Sequence, residues 1–381
     1  MSENIEKEAL VKDCIKLGFG LMRLPHVGKG TLYDPIDMEE TKKMVDEFIH
    51  AGGKYFDTAF IYPGSEAAAK EALCDRYPRD AYYLATKLNA SSFACKNAEE
   101  AKAELQTSLE RTGCKYFDFY LLNGMEADNL HLYEEYGLWE YMQESRKQGL
   151  VKHIGFSFHD KPELLDRILT EHPEAEFVQL QINYSDWEDA GIQAKNCYEV
   201  AVKHGKSVVV MEPVKGGLLA NPPQQVKKIF EAASPTASPA SWAIRFVASL
   251  EQVMIVLSGM SNEEQMKDNL SYMKNFKPLS ESEQAVVNEA RKTLLQIDRI
   301  PCTACHYCTP GCPVKMHIPE IFAVMNVGKM YGDVNRAKSD YTWRAGATKA
   351  SQCIGCRQCE KACPQHLPIV NLLKEVADTL E

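Results

Sequence analysis

The chain has 381 residues, room for one large domain and a smaller one. It is 45% hydrophobic and 25% charged with a formal net charge of −10, ordinary for a folded globular protein, and it lacks the basic run that would point to a nucleic-acid partner. No stretch approaches the roughly eighteen uninterrupted apolar residues of a membrane span, and the opening MSENIEKEALVKD has no apolar signal-peptide core, so a cytoplasmic protein without a membrane partner is expected.

From about residue 15 to 275, short β-rich apolar runs alternate with amphipathic helical stretches. Strands are expected near 16–20, 54–60, 81–88, 117–123, 151–157, 177–184, 207–213 and 253–258. Helices are expected at 39–52, 65–77, 97–112, 133–148, 161–172, 187–204, 238–249 and 262–275. Runs such as SVVVMEPV and VMIVLSG are apolar throughout, as parallel strands covered on both faces must be. Eight β/α units with no G-x-G-x-x-G after the first strand favour a (β/α)8 TIM barrel over a doubly wound sheet. A helix at 280–297 leads out of the barrel. Pro301 opens a cysteine-rich segment in which IPEIFAVMNVGKMYG, residues 333–350 and the tail LPIVNLLKEVADTL read as helical. The expected organisation is a barrel over 1–279, a connector over 280–300 and a mainly helical, cysteine-rich domain over 301–381.

Eight of the 13 cysteines lie in that last segment. Cys302, Cys305, Cys308 and Cys312 precede Pro313, and Cys353, Cys356, Cys359 and Cys363 precede Pro364, two copies of C-x2-C-x2-C-x3-C-P. Three thiolates at intervals of three wrap one cuboidal cluster, and the fourth serves the other cluster in two-cluster ferredoxins. The expected sets are therefore Cys302, Cys305, Cys308 and Cys363 for one [4Fe–4S] cluster and Cys353, Cys356, Cys359 and Cys312 for a second. Zinc sites show pairs of cysteines rather than such quartets. His306, His317 and His366 lie beside the cysteines and are read as surface or supporting residues, since the thiolates already complete each set. The segment resembles bacterial-type two-cluster ferredoxins, with an unusually long helical insert between the two groups. The other five cysteines, Cys14, Cys74, Cys95, Cys114 and Cys197, are expected to be small buried hydrophobes.

Barrel chemistry sits at the C-terminal strand ends. There the sequence places Asp57 and, five residues on, Tyr62, then Lys87, Asn123, and Ser157 with His159 and Asp160. A phenol titrates near pH 10 and donates a proton poorly. An adjacent ammonium stabilises the phenolate, and a carboxylate holds the ammonium in place. The plainer reading is a structural ion pair beside a rim tyrosine.

The runs GFGLMRLP (18–25), YFDTAFIYPGSE (55–66), LATK (84–87) and IGFSFHD (154–160) resemble the aldo-keto reductase superfamily, and the cysteine-rich tail resembles a bacterial branch of it fused to a ferredoxin-like module. The resemblance implies a site of Asp, Tyr, Lys and His, with Tyr62 as proton donor, Lys87 as its pKa-lowering neighbour and Asp57 as the partner of Lys87. The fourth position departs from the pattern: Asn123 stands where the family has His. An amide donates a hydrogen bond but cannot become cationic, so substrates other than ordinary aldehydes, such as an enone reduced at its C=C bond, come into view. His159 is a candidate to compensate.

The resemblance also implies an extended NADH or NADPH across the rim. Ser157 and Gln179 would hold the carboxamide, with Phe158 in place of the polar residue that often follows the serine, and Met211 would lie under the ring. Lys215, Gly216 and Gly217 would wrap the pyrophosphate, Gly259 and Ser261 would offer a helix N-terminus to a phosphate, and Gln265 and Asn269 would stand towards the adenine end. Glu263 and Glu264, with only Lys267 basic, favour NADH over NADPH. No flavin fingerprint is present, although a TIM barrel needs no short motif to bind one. The expected activity is NAD(P)H-dependent reduction of a small-molecule carbonyl or conjugated alkene. The alternative is an electron-transfer or partner-binding subunit, exchanging electrons with a ferredoxin or flavoprotein, whose barrel has lost ordinary reductase activity.

Overall fold

The computed structural model describes residues 10–28 and 34–381, and among them it forms two compact units. The first comprises residues up to 187, 192–216 and 240–281, and the second comprises 188–191, 217–239 and 282–381.

The first unit is a closed barrel of eight parallel strands in sequential order: β1 (Leu17–Gly20), β2 (Tyr55–Asp57), β3 (Tyr83–Leu88), β4 (Phe117–Met125), β5 (Val151–Phe158), β6 (Phe177–Gln181), β7 (Ser207–Met211) and β8 (Val253–Ser258). The eight expected strands are all present. Its helices are α1 (Met38–His50), α2 (Ser65–Ala69), α3 (Ala98–Thr112), α4 (Leu130–Glu135), α5 (Leu138–Lys147), α6 (Pro162–Glu171) and α7 (Ala194–Lys203), followed by α9 (Pro239–Ala248) and α10 (Glu263–Met273). The intervening α8 (Gln224–Ala233), not anticipated from the sequence, belongs to the second unit.

Three helices differ from expectation. The stretch at 133–148 is two helices, broken where Gly137 takes a φ of 60°. The stretch at 187–204 starts only at Ala194, because Asp189 accepts the Gly191 N–H at 2.8 Å in a turn and Gln193 is left-handed at φ 54°. The stretch at 65–77 changes pitch after α2 into a π-turn over Lys70–Cys74, where the Asp75 N–H reaches back five residues to the Lys70 carbonyl at 2.9 Å.

The barrel interior is filled by Tyr55, Ala85, Phe119, Leu121, Phe177, Val209, Ile255 and Leu257, one buried cluster drawn from alternate strand positions. Phe119 packs edge-on to Phe177 with ring centroids 5.3 Å apart. Two inward glycines make room for these rings and branches. A Cβ on Gly18 would lie 2.7 Å from Ile255, and one on Gly155 would lie 2.5 Å from the Phe177 carbonyl oxygen.

The second unit carries α11 (Glu281–Gln296), α12 (Ile318–Tyr331), α13 (Val334–Arg344), α14 (Gln358–Ala362) and α15 (Ile369–Leu380). Arg291 of α11 pairs with Glu188. The unit is an internal repeat with an offset of 51 positions. Cys302 matches Cys353, the left-handed Ala304, His306 and Lys315 match the left-handed Gly355, Arg357 and His366, and the buried Met316 and Ile318 match the buried Leu367 and Ile369. Ile318 opens α12 and Ile369 opens α15, so each cysteine loop runs into a helix whose apolar face enters one shared core with Phe322, Met325, Leu373 and Val376. The polar stretch expected to be helical over 333–350 ends at Arg344, two residues before Gly346 turns left-handed at φ 68°. Among the described residues no helix is long and apolar enough to cross a membrane.

Candidate functional site

Side chains alternate along a strand, so the next inward position beyond the core layer lies two residues further on. Tyr55 leads to Asp57, Ala85 to Lys87, Leu121 to Asn123, Gly155 to Ser157, Phe177 to Gln179, Val209 to Met211 and Leu257 to Gly259. One layer at the C-terminal mouth of the barrel therefore collects seven of the residues singled out in the sequence.

Lys87 is 1% exposed, and its ammonium donates to Asp57 Oδ1 at 2.5 Å and to the Thr58 carbonyl at 2.7 Å. Nζ also stands 5.1 Å from the centre of the Tyr62 ring, a cation over an aromatic face. Burial alone would lower the Lys87 pKa, but Asp57 and Tyr62 together hold it above the ordinary lysine value, so the group is an ammonium. Burial pushes Asp57 upward against the opposing pull of Lys87. Its Oδ2 is buried with no partner among the described residues.

For Tyr62, burial raises the phenol pKa, Lys87 pulls it down, Asp57 raises it and Arg23 lowers it, with a net value above that of a free tyrosine. Lys87 thus restrains a rise rather than producing the net fall expected from the sequence. Tyr62 is fixed by its loop. Its N–H donates to the Ala59 carbonyl at 3.0 Å, its carbonyl accepts from Ser65 at 3.2 Å, and the Ser65 hydroxyl shares a 2.7 Å bond with Thr58.

Asn123 is 8% exposed and sits where β4 bulges, with Gly124 left-handed at φ 66°. The Gly124 N–H donates to Ser157 Oγ at 2.7 Å, and the Ser157 hydroxyl donates to Asn123 Oδ1 at 3.2 Å. The Asn123 carbonyl accepts from the Tyr133 hydroxyl at 2.5 Å. With its side-chain oxygen engaged, Asn123 has only its amide N–H groups left to offer.

Gln179 is 2% exposed and donates through Nε2 to the Met211 sulfur at 3.6 Å, while its Oε1 is buried with no partner among the described residues. That orphaned acceptor, beside Ser157 on the paired strand, suits the N–H of a carboxamide, so the residues present fit a nicotinamide. His159 is exposed, with its backbone N–H on the Met125 carbonyl at 3.2 Å, and Asp160 accepts the N–H groups of Ala127 and Lys161, both at 2.7 Å.

Lys215 is ion-paired with the buried Asp186, which the sequence reading passed over, and Gly216 and Gly217 are left-handed at φ 62° and 100°. Gly259 lies against Arg23, since a Cβ there would be 3.4 Å from that of Arg23. Arg23 is thus a rim cation that the sequence reading also passed over, legible only as the arginine just beyond strand β1. Ser261 and Gln265 are engaged in capping α10. The Ser261 N–H donates to Gln265 Oε1 at 2.8 Å, and the Gln265 N–H donates to Asn262 Oδ1 at 2.9 Å. Asn269 is 4% exposed, donates to Ser258 Oγ at 2.7 Å and accepts from the Tyr272 hydroxyl at 2.5 Å, so both ends of its amide are held inside the protein. Lys267 is paired with Glu263 at 3.0 Å, and Glu40 accepts the Glu263 N–H at 3.2 Å.

In the second unit the cysteines surround two small cavities. Cys302, Cys305, Cys308 and Cys363 line one, with Ile318, Phe322 and Leu367 behind them. Cys312, Cys353, Cys356 and Cys359 line the other, with Met316, Ile354 and Leu373. Each quartet takes three thiols from one loop and one from the other. Four thiols on an apolar wall are the donor set of a [4Fe–4S] cluster, and the residues fit it. Burial pushes the thiols of Cys308 and Cys359 up to about 11, a rise that iron must overcome to hold them as thiolates. The Met316 N–H donates to the Cys312 sulfur at 3.5 Å, as backbone groups do around cluster sulfurs. Of the three nearby histidines, His306 faces Glu320 at 3.6 Å and none lines the second cavity.

The scattered cysteines only partly follow expectation. Cys95 and Cys197 are buried, whereas Cys14, Cys74 and Cys114 are half-buried.

Comparison with known proteins gives two matches along the chain: residues 16–292 match the aldo/keto reductase family, and residues 301–367 match a 4Fe-4S dicluster domain. The NAD(P)H-dependent 6'-deoxychalcone synthase of Glycine max is 26% identical over 272 residues, covering 65% of this chain and 81% of the relative. An aldo-keto reductase of Mycobacterium avium (strain 104) is 30% identical over 249 residues, covering 65% and 80%. Among solved structures, the holo form of aldo-keto reductase AKR11C1 from Bacillus halodurans superposes with a TM-score of 0.58 at 24% identity, over 72% of this chain and 91% of that one.

Proposed function

Because the chain belongs to the aldo/keto reductase family, whose members are NAD(P)H-dependent oxidoreductases, and carries a 4Fe-4S domain C-terminal to the family match in sequence, we propose that it reduces a carbonyl or a conjugated alkene with Tyr62 as proton donor. The observation that carries the reading is the buried Asp57–Lys87 pair, 2.5 Å long, whose ammonium stands 5.1 Å from the centre of the Tyr62 ring. A nicotinamide bound at this mouth supplies the hydride. Tyr62 gives its proton to the substrate and Lys87 takes up the phenolate charge so created. Asp57 keeps Lys87 charged and in place. Asn123, held by Ser157 through its oxygen, turns its N–H groups to the substrate oxygen, the hydrogen-bond polarity that the family histidine supplies.

Gln179 Oε1 and Ser157 would hold the carboxamide, Met211 would lie beside the ring, and Lys215, Gly216, Gly259 and Ser261 would serve the phosphates. Gln265 acts by shaping that last turn. Glu263, Glu264 and Glu40 crowd the start of α10, and Lys267 is already paired, so a 2′-phosphate there meets net negative charge and NADH is the favoured coenzyme.

The eight cysteines would hold two [4Fe–4S] clusters in the crossed sets that line the two cavities, within a domain running from 301 to the end of the chain. Such clusters move single electrons, which makes a ferredoxin or flavoprotein the fitting partner class.

The test is anaerobic NADH oxidation against a panel of carbonyls and enones. Tyr62→Phe should lose at least about 10²-fold in kcat while nucleotide affinity, read by calorimetry, is kept. Equal turnover by that variant would remove Tyr62 from the mechanism. A barrel that binds neither nucleotide would favour the electron-transfer subunit to which the Asn123 departure points.

A further inference from the structure

Outside the barrel mouth, two thiols stand together. Cys74 closes the π-turn after α2, and Cys114 follows the C-terminal glycine of α3, 40 positions along the chain. Their sulfurs share one hydrogen bond, Sγ to Sγ, of 3.3 Å. A disulfide needs about 2.05 Å between sulfurs, so a further approach of roughly 1.3 Å would join them.

The surroundings suit a reactive pair rather than two inert core thiols. Both cysteines are half-buried, so a small oxidant can reach them. The Tyr82 hydroxyl lies 3.9 Å from the Cys114 sulfur. Arg79, ion-paired with Asp118 at 2.5 Å, stacks its guanidinium on Tyr82 and Tyr116 at 4.8 and 4.0 Å from their ring centres and lends Cys114 a favourable interaction. Lys70, ion-paired with Asp75 at 2.7 Å, is near the Cys114 turn, where a Cβ at Gly113 would come within 3.3 Å of its ammonium. The hydrogen bond the two sulfurs share draws the Cys114 thiol below its ordinary value against the effect of burial, with Thr112, Arg79 and Tyr82 contributing, while Cys74 is pushed up and keeps its proton. One thiolate beside one thiol is the arrangement of an attacking and a resolving cysteine.

We infer that Cys74 and Cys114 form a peroxide-responsive thiol pair, oxidised reversibly to a disulfide that ties the turn after α2 to the entry of β4. The Cys114 thiolate attacks one oxygen of hydrogen peroxide. An S–O bond forms, the O–O bond breaks, hydroxide leaves, and the sulfur becomes a sulfenic acid, oxidised by two electrons. The Cys74 sulfur then attacks the sulfenic sulfur. The S–S bond forms, the S–OH bond breaks, and the hydroxyl departs as water with the proton of Cys74. A dithiol reductant restores both thiols.

The experiment treats the cluster-loaded full-length protein with limiting hydrogen peroxide, blocks free thiols, and digests with trypsin without reduction. Residues 71–76 and 112–115 should appear as one disulfide-linked peptide pair, abolished by dithiothreitol, and formed about tenfold faster than Cys14 or Cys197 is oxidised. In Cys74→Ser, which removes the resolving sulfur, dimedone should trap a sulfenic acid on Cys114. In the wild type that adduct should be at least tenfold scarcer. The inference is overturned if both peptides stay alkylated as free thiols while Cys14 or Cys197 oxidises, or if the wild type accumulates the Cys114 adduct without the linked pair.

Discussion

Replacing Lys87 by Met removes the cation paired with Asp57 and leaves that carboxylate 3% exposed with no partner on either oxygen among the described residues. Breaking a buried ion pair from one side costs about 3–5 kcal/mol. Over the 16–292 stretch that matches the family, an unfolding entropy of about 2.1 cal/mol/K per residue turns that cost into a fall of roughly 5–9 °C in thermal midpoint. The loss has a pH signature. Burial already holds Asp57 above the usual carboxylate range, and Lys87 is the only group opposing the rise. Without Lys87 the folded state retains a proton on Asp57 that the unfolded chain has released. The folded state then binds more protons than the unfolded one, so the deficit of the variant is smallest in acid and widens as pH rises, by up to about 1.4 kcal/mol per pH unit. Turnover should fall about 10²- to 10⁴-fold, the usual contribution of a positioned acid. The double variant Asp57→Asn/Lys87→Met buries no charge and should recover most of the stability but none of the turnover. Thermal unfolding by circular dichroism at several pH values, with anaerobic NADH oxidation alongside, measures both effects. The reasoning fails if the single variant melts like the wild type at neutral pH, or if the double variant is as unstable as the single one.

Three further outcomes follow from individual contacts. Glu104 is 2% exposed, accepts the Asn89 N–H at 2.8 Å, and has its carboxyl pushed up by burial to about 8. The fold therefore holds a proton that the unfolded chain loses from about pH 4.5, and stability should decline as pH rises towards 8. Glu104→Gln should flatten that slope of up to about 1.4 kcal/mol per pH unit in urea unfolding. Cys363→Ser should abolish the cluster assigned to Cys302, Cys305 and Cys308 and leave the one beside its own loop, seen as about half the iron and one remaining electron paramagnetic resonance signal. The opposite cluster disappearing would refute the crossed assignment. Gly155→Ala places a methyl 2.5 Å from the Phe177 carbonyl oxygen and 2.8 Å from its ring, and should cost about 1–3 kcal/mol in urea unfolding.

The barrel was legible because each strand is a short β-branched or aromatic run between helical stretches, and period two along those runs carries the reader from Tyr55 to Asp57 and from Ala85 to Lys87. The same rule explains what stayed hidden. Arg23 and Asp186 lie in rim loops, where no period applies and only the folded backbone decides which side chains meet. Asn269 sits at helical spacing from the phosphate-side turn, yet its amide is held by Ser258 and Tyr272, a competition that depends on Tyr272 one helical turn later. The break at Gly137 and the late start of α7 at Ala194 turn on left-handed residues, and at Gln193 no glycine marks the place. The pairing of Cys74 with Cys114 joins a π-turn to the end of another helix and leaves no trace in spacing.

Asn123 shows how a substitution that looks disabling in the sequence can keep its chemical sense in the fold. An asparagine side chain offers an acceptor and a donor, and a substrate carbonyl is served only by the donor. The direction is set by a short chain of hydrogen bonds. The β4 bulge turns the Gly124 N–H onto the Ser157 oxygen, the Ser157 hydroxyl hydrogen is then given to Asn123 Oδ1, and the amide nitrogen is left as the only polar atom for the mouth. A histidine at this position reaches further and carries a charge when protonated, whereas the amide is shorter and stays neutral at every pH. Under the proposed reduction, the polarity of the contact to the substrate would be retained while its length and charge change, favouring a substrate whose oxygen sits deeper or develops less negative charge.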